Sequence, residues 1–370
     1  MTTLISRKRS GQWTKISLVF LLVLVLALTG CNNGQIGSKI PVDKKTQLIT
    51  DSVGRQVEVP VNPERIACLC PESAYALAMY GQGNKIVATT GGMQRDLLLV
   101  EMYPHIKGLP IPKTSGVINI EELINTRVEL VFVKGDTTSN EAEMEKLNKV
   151  KIPVIALQYA SMAEQQYALQ MVAKIVGSEE KGQRYTEFYQ QMIAEVQERV
   201  AAVPHKDRIK IYHSVSEATR TDTTGTLAAD WTKAAGVINV SVGQSLKFMD
   251  GDHYAGLEQI LLWDPDYILV NDPNVAGYIM GHEHWRPLQA VKNNRVLPLP
   301  NGISRWGHTS SLETPLAALW TAKLAYPQLF NDWDMVEATR DFYQEFFDWQ
   351  LDDATIEKIL SGRGMREAKS

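Results

Sequence analysis

The feature that most constrains this chain is an unbroken helical periodicity near its middle. Leu169, Val172, Ala173 and Val176 keep helical spacing up to Gly177. Tyr185, Phe188, Tyr189, Met192, Ile193, Val196 and Val200 then follow at i, i+3, i+4, i+7, i+8, i+11 and i+15, and the pattern stops at Val203-Pro204. Ser178 is placed to cap this second helix, and Glu179 and Glu180 fall in its first turn, where the helix dipole favours acids. About 25 residues at 1.5 Å each make roughly 38 Å, enough to reach from one lobe to another. Residues 166–204 are therefore read as linking helices between two bodies.

Both flanks alternate short apolar strands with helices. Before the linker come Arg65–Leu69, Lys85–Thr89, Val128–Val133 and Val154–Leu157; after it come Ile209–Tyr212, Tyr267–Val270 and Arg295–Leu299. Continuously apolar strands separated by helices imply parallel sheets covered on both faces. The expected fold is α/β, with two Rossmann-like lobes at 46–165 and 205–360 and a disordered tail at 361–370. A loose duplication supports two halves: Ile120-Glu121-Glu122-Leu123 precedes one strand as Leu257-Glu258-Gln259-Ile260 precedes another.

The first thirty residues are of another kind. Arg7, Lys8, Arg9 and Lys15 form a basic start without acids, and Ile16–Leu28 is an apolar run too short for a comfortable membrane span. Leu28-Thr29-Gly30-Cys31 matches a bacterial lipobox. The match implies cleavage before Cys31, lipid transfer to its sulfur, and a flexible tether over 31–45. The alternative, an uncleaved anchor, also leaves the body outside the cytoplasm. Without residues 1–30 the chain has 34 basic and 42 acidic residues, a net charge of −8, which argues against nucleic acid as a partner. A cleft can still be locally basic. Cys68 and Cys70 sit two apart on a strand, at the edge of disulfide reach, and are read as reduced and packed. A thiolate contact to a metal or haem and a strained disulfide are the other readings.

Asp51-Ser52-Val53-Gly54-Arg55-Gln56-Val57-Glu58-Val59-Pro60, with Asn62-Pro63-Glu64-Arg65-Ile66, resembles the opening hairpin and first strand of the class III solute-binding proteins of ABC importers. Trp263-Asp264-Pro265-Asp266-Tyr267-Ile268, Ala290–Val296 and Trp320–Pro327 are similar to that family's later steps. The resemblance implies two lobes joined by one long helix, with ligand in the cleft between them. It also implies a non-enzymatic monomer without resident cofactor, delivering an iron chelate of siderophore type to an ABC permease and, through it, an ATPase. Haem, a corrinoid or a metal oxyanion such as molybdate are alternative ligands. Localisation would be extracytoplasmic, lipid-anchored to the bacterial membrane through Cys31. Family members also dock on the permease through one surface glutamate per lobe. Glu258 matches the C-lobe position, while the N-lobe position holds Tyr75, with Glu72 three residues earlier.

In open parallel sheets, ligands bind beyond the carboxyl ends of the strands. On that rule Met93, Arg95 and Tyr159 are placed on the N-lobe wall, and His213, His253, Tyr254, Arg305, Trp306 and His308 on the C-lobe wall. Arg305 offers a planar fork for an oxyanion and Trp306 a stacking face, with Arg95 as the opposing arginine. The histidines suit either a metal or an anion. A distant alternative is an extracytoplasmic metal-dependent hydrolase using His282, Glu283 and His284. Against it, the chain lacks His-Glu-x-x-His, Gly-x-Ser-x-Gly and a Gly-rich phosphate loop.

Overall fold

The computed structural model describes residues 45–367. The export segment, Cys31 and nearly all of the tether lie outside the described residues. An antiparallel hairpin, Thr46–Thr50 with Gln56–Pro60, opens the described chain. Asp51 holds its turn by accepting from the backbone of Val53 and Arg55 and pairing with the Arg55 guanidinium at 2.6 Å.

The N-lobe sheet has four parallel strands in the order Ile86–Ala88, Ile66–Cys68, Leu130–Lys134, Val154–Leu157. Its inner strands are apolar on both faces because both faces are covered. Ala67, Val131 and Val133 pack with Leu123 and Leu147 on one side; Ile66, Cys68 and Phe132 join the main core on the other. The C-lobe sheet is parallel at its centre, where Lys210–Ser214 pairs with Tyr267–Val270 and that strand with Val296–Pro298. Beyond Lys210–Ser214 it continues as an antiparallel wing of Arg220–Thr221, Asp252–Tyr254 and Lys247–Met249. His253 and Tyr254, expected on the cleft wall, therefore lie in a strand of this wing.

Two linking helices, Met162–Ile175 and Glu179–Val200, connect the lobes. The first starts on an N-cap: Ser161 accepts from the Glu164 backbone N–H at 3.2 Å, and the Glu164 carboxylate accepts from the N–H of the preceding Ala160 at 2.7 Å. The second runs 22 residues, about 33 Å. Ser178 occupies its N-cap position but makes no capping bond through its side chain. The face read from periodicity is the buried one. Tyr185 and Val196 are fully enclosed, and the Tyr185 hydroxyl donates to the Leu312 carbonyl at 2.5 Å. Tyr185 also packs edge-on against Phe346, on the helix Met335–Phe347.

One boundary differs from expectation. Residues 361–367 are not a loose tail. They leave the helix Asp353–Ser361 and pair with the N-lobe at Asp96 and Arg366. Two buried groups at the crossing, Met365 and Asp96, account for the order.

Candidate functional site

Between the lobes lies a cavity of about 300 Å³. Its N-lobe side is formed by Pro71, Tyr75 and Lys134, its C-lobe side by Ser216, Arg220, Arg305, His308 and Ser310, and Arg366 enters from the crossing segment. Lys134 ends one parallel strand, Ser216 follows another by two residues, and Arg305 lies beyond a third. The cavity thus sits at the carboxyl ends of the strands. Four cationic side chains line it and no carboxylate does.

The Arg305 position is built by a tight turn. Asn301 and Arg305 form an antiparallel bridge around Gly302. A Cβ on Gly302 would collide with the Tyr343 hydroxyl and the Glu313 carboxylate. Glu313 is fully buried and serves as the hub: it accepts from the Ser304 hydroxyl, from the Ser304 N–H at 3.2 Å and from the Tyr343 hydroxyl at 2.6 Å. Burial raises its pKa, and these donors oppose the rise. From this turn the Arg305 guanidinium donates to Ser216 Oγ at 3.2 Å and to His308 Nε2 at 3.0 Å. Nε2 faces the Arg305 donor, while Nδ1 lies 3.0 Å from Ser310 Oγ and accepts from the Ser310 backbone N–H at 3.3 Å. Burial, then the charges of Arg305, Lys134 and Arg220, push the His308 pKa well below its usual value, so the ring is neutral at pH 7.

Across the cavity, Tyr75 donates to Asp96 Oδ2 at 2.6 Å, and Arg366 pairs with the other oxygen of the same carboxylate. Burial raises Asp96 to about 6 despite the Arg366 charge beside it. Arg220 pairs with Asp252 at 2.5 Å on the wing.

Of the residues read as ligand contacts, Arg305 and His308 meet in this cavity. Arg95 does not line it: the side chain reaches the Glu367 carbonyl at 3.4 Å, and Arg366 faces the cavity in its place. Met93 is fully buried in the core, beside Thr89. Trp306 is likewise fully buried and offers no stacking face; its carbonyl accepts from Asn271 at 3.1 Å. Tyr159 packs against the core, with its hydroxyl enclosed. His213 is buried behind the wall, with Nδ1 2.6 Å from Asp222 and its ring edge-on to Trp231. His253 lies on the wing against Phe248, and Tyr254 beside it faces Glu217 at 3.5 Å. Arg220 and Arg366 were not singled out in the sequence. Lys134 had a local signal, as the residue directly after the predicted strand Val128–Val133.

Glu72 is the clearest correction. As a permease contact it should face solvent, yet it is 5% exposed and one carboxylate oxygen is enclosed without a partner. Burial raises its pKa against the pull of Lys134, which places it behind the cavity wall. Glu258, by contrast, is exposed in the first turn of the helix Leu257–Trp263. Cys68 and Cys70 are free and fully buried. Burial pushes the Cys68 thiol up to about 12 and raises Cys70 as well, so neither is a ready thiolate.

A second, more open groove of about 600 Å³ adjoins on the C-lobe and shares Ser216. Tyr278, His282, His284 and Trp285 line it. His282 Nδ1 accepts from the His284 backbone at 3.3 Å, and the two rings stand 5.0 Å apart. Among the described residues, no group of three or more His, Cys, Asp or Glu is arranged to hold a metal ion. No helix among them is long and apolar enough to cross a membrane.

Comparison with known proteins matches residues 66–302 to a family model described as periplasmic binding protein. The molybdate-binding protein MolA of Haemophilus influenzae is 24% identical over 326 residues, covering 81% of this chain and 91% of the relative. Its solved structure, bound to molybdate, superposes with a TM-score of 0.75 at 22% identity, covering 83% of this chain and 99% of that one. An ABC transporter substrate-binding lipoprotein of Bacillus subtilis, YvrC, is 23% identical over 312 residues, covering 81% of this chain and 93% of the relative.

Proposed function

The chain belongs to the periplasmic binding protein family, and on that premise we propose that it is the substrate-binding component of an ABC importer, holding a small metal-containing anion between its lobes. The observation that carries this reading is the convergence of Lys134, Arg220, Arg305 and Arg366 on one cavity whose lining has no carboxylate. Arg220 and Arg366 are each paired with a carboxylate outside the lining, but among the described residues Lys134 and Arg305 have no ion pair, and an anion of matching size relieves the cost of confining them. The volume suits a compact oxyanion. Neutral His308 and the hydroxyls of Ser216 and Ser310 add uncharged hydrogen-bonding groups for its oxygens. The molybdate named for the Haemophilus relative is one ion of this class.

A second reading, an anionic iron chelate, is favoured by the neighbouring groove. The metal-binding end would sit among the arginines, and the organic body would lie along Tyr278 and Trp285, continuous through Ser216. Native mass spectrometry of protein taken from its source, with calorimetric titration by molybdate and by ferric chelates, separates the two. A protein that carries no anion and takes up neither probe would sink both readings.

The folded body works outside the cytoplasm, as family members do. Lipid at Cys31 would keep it near its permease, where a monomer docks through Glu258 and drives an ATPase across the membrane. Glu258→Ala is expected to lower uptake a few-fold in cells, the scale of one exposed charge pair, while leaving ligand affinity intact. An equal loss of affinity would show that Glu258 acts on the binding site instead. Glu72, being enclosed, has no part in docking. Delivery by binding, rather than turnover, is the role these features support.

A further inference from the structure

We propose that the crossing segment Gly362–Glu367 is part of the binding site, and that Arg366 contacts the bound anion directly. The proposal rests on the anion-binding reading above.

The segment belongs covalently to the C-lobe. The helix Asp353–Ser361 is tied there by the Asn301 N–H donating to the Ile359 carbonyl at 2.9 Å. It ends at Gly362 in a left-handed conformation, φ +69°, where a Cβ would strike the Leu299 carbonyl. The chain then crosses to the N-lobe. The Leu97 N–H donates to the Met365 carbonyl at 3.1 Å, and the Glu367 N–H to the Arg95 carbonyl at 2.9 Å. Met365 is buried, and Glu367 pairs with Lys107 at 2.6 Å.

Docking of this kind fixes the backbone on both sides of Arg366 and aims its side chain at the cavity. One terminal nitrogen pairs with Asp96 and the other donates to the Gly92 carbonyl at 3.2 Å. Asp96 also lies within the field of Arg305, and both guanidinium groups line the same small space. Burial and then the nearby Arg366 charge lower the Arg305 pKa, the mark of two cations confined together. A guanidinium has five donor hydrogens, so Arg366 can keep Asp96 and still bind an anion. An anion held by Arg305 and Arg366 together is gripped by both sides of the cleft, one of them assembled from a segment some 270 residues away from Asp96 in sequence.

The test is calorimetry on the full chain with molybdate and with ferric citrate, comparing wild type, Arg305→Gln, Arg366→Gln and Lys107→Gln. Lys107→Gln loosens the docked segment but leaves Arg366 in place. Arg366→Gln is expected to weaken binding at least tenfold, the scale of one lost charge-assisted hydrogen bond, while Lys107→Gln binds within about twofold of wild type. Thermal melting of each variant verifies that it is folded; should Arg366→Gln melt early, Arg366→Lys must then bind more weakly than wild type. If Arg366→Gln binds as wild type does while Arg305→Gln is weakened, the inference is overturned and the functional reading stands. An equal loss in Lys107→Gln assigns the effect to docking and also overturns it. If the wild-type chain binds neither probe, the functional reading itself falls, and the inference with it.

Discussion

The two walls of the cleft are made in different ways. The C-lobe wall is largely local: Arg305, His308 and Ser310 occupy one short stretch held from beneath by Glu313, and only Ser216 and Arg220 join it from elsewhere in the lobe. The N-lobe wall is composite. Lys134 comes from a strand end, Tyr75 from the helix Pro71–Met79, and Arg366 from the crossing segment, with Asp96 anchoring the last two. A local wall is stiff because a few neighbours over-determine it. A composite wall depends on a docked segment, and so it should respond more to conditions.

That contrast can be broken first at Arg305. Arg305→Ala is expected to weaken molybdate binding on the order of a hundredfold, because an anion in a confined site loses a forked partner. Arg305→Lys keeps the charge without the fork and should recover only part of it. Calorimetry showing Arg305→Ala binding like wild type would mean that the local wall carries no binding energy. Next in size is Gly302→Ala. The added methyl group must displace Tyr343 or Glu313, so urea unfolding should show a loss of about 1–3 kcal/mol, with weakened binding alongside. An unchanged midpoint would show that the turn is softer than its hydrogen bonds suggest.

The smallest effect concerns the composite wall. Asp96 faces Tyr75 from one helix, Arg366 from the crossing segment, Arg305 from the opposite turn and its own neighbour Arg95. Its carboxyl titrates near 6. From pH 7.5 to 5.5 it gains a proton and ceases to compete for Arg366. Anion affinity should rise a few-fold over that interval in wild type and stay flat in Asp96→Asn. Stability carries the matching sign: with a raised pKa in the folded state, the contribution of this group is full below its unfolded value near 4 and lost as pH rises through about 6. A flat affinity profile in the wild-type chain would remove Asp96 from the account.

What could be read in the sequence follows the same division. The linking helix, the central strands and Arg305 with His308 all have local signatures: a repeat at 3.6 residues, an apolar run, a strand followed by a Pro-Asn-Gly turn. Arg366 has none. Nothing in Arg363-Gly364-Met365-Arg366 reports that a buried carboxylate near residue 96 is waiting for it, and a short polar stretch after a helix reads as a tail. Trp306 and Met93 failed in the opposite direction. Each follows a strand, where ligand contacts gather, but an apolar side chain there can turn inward, and the core beneath had room for both. Glu72 was assigned outward because the family resemblance expects a surface glutamate near that turn; the helix Pro71–Met79 instead starts inside the protein.

The buried stripe of the linking helix has one more consequence. Tyr185, Tyr189 and Val196 join a single apolar cluster that takes in Phe132 from one lobe and Leu269, Trp231 and Trp306 from the other. The lobes are therefore not separate thermodynamic units, and heating should unfold both in one cooperative transition. A ligand that grips either wall raises the melting temperature of the entire body, so occupancy anywhere in the cleft is reported by every tryptophan in the core.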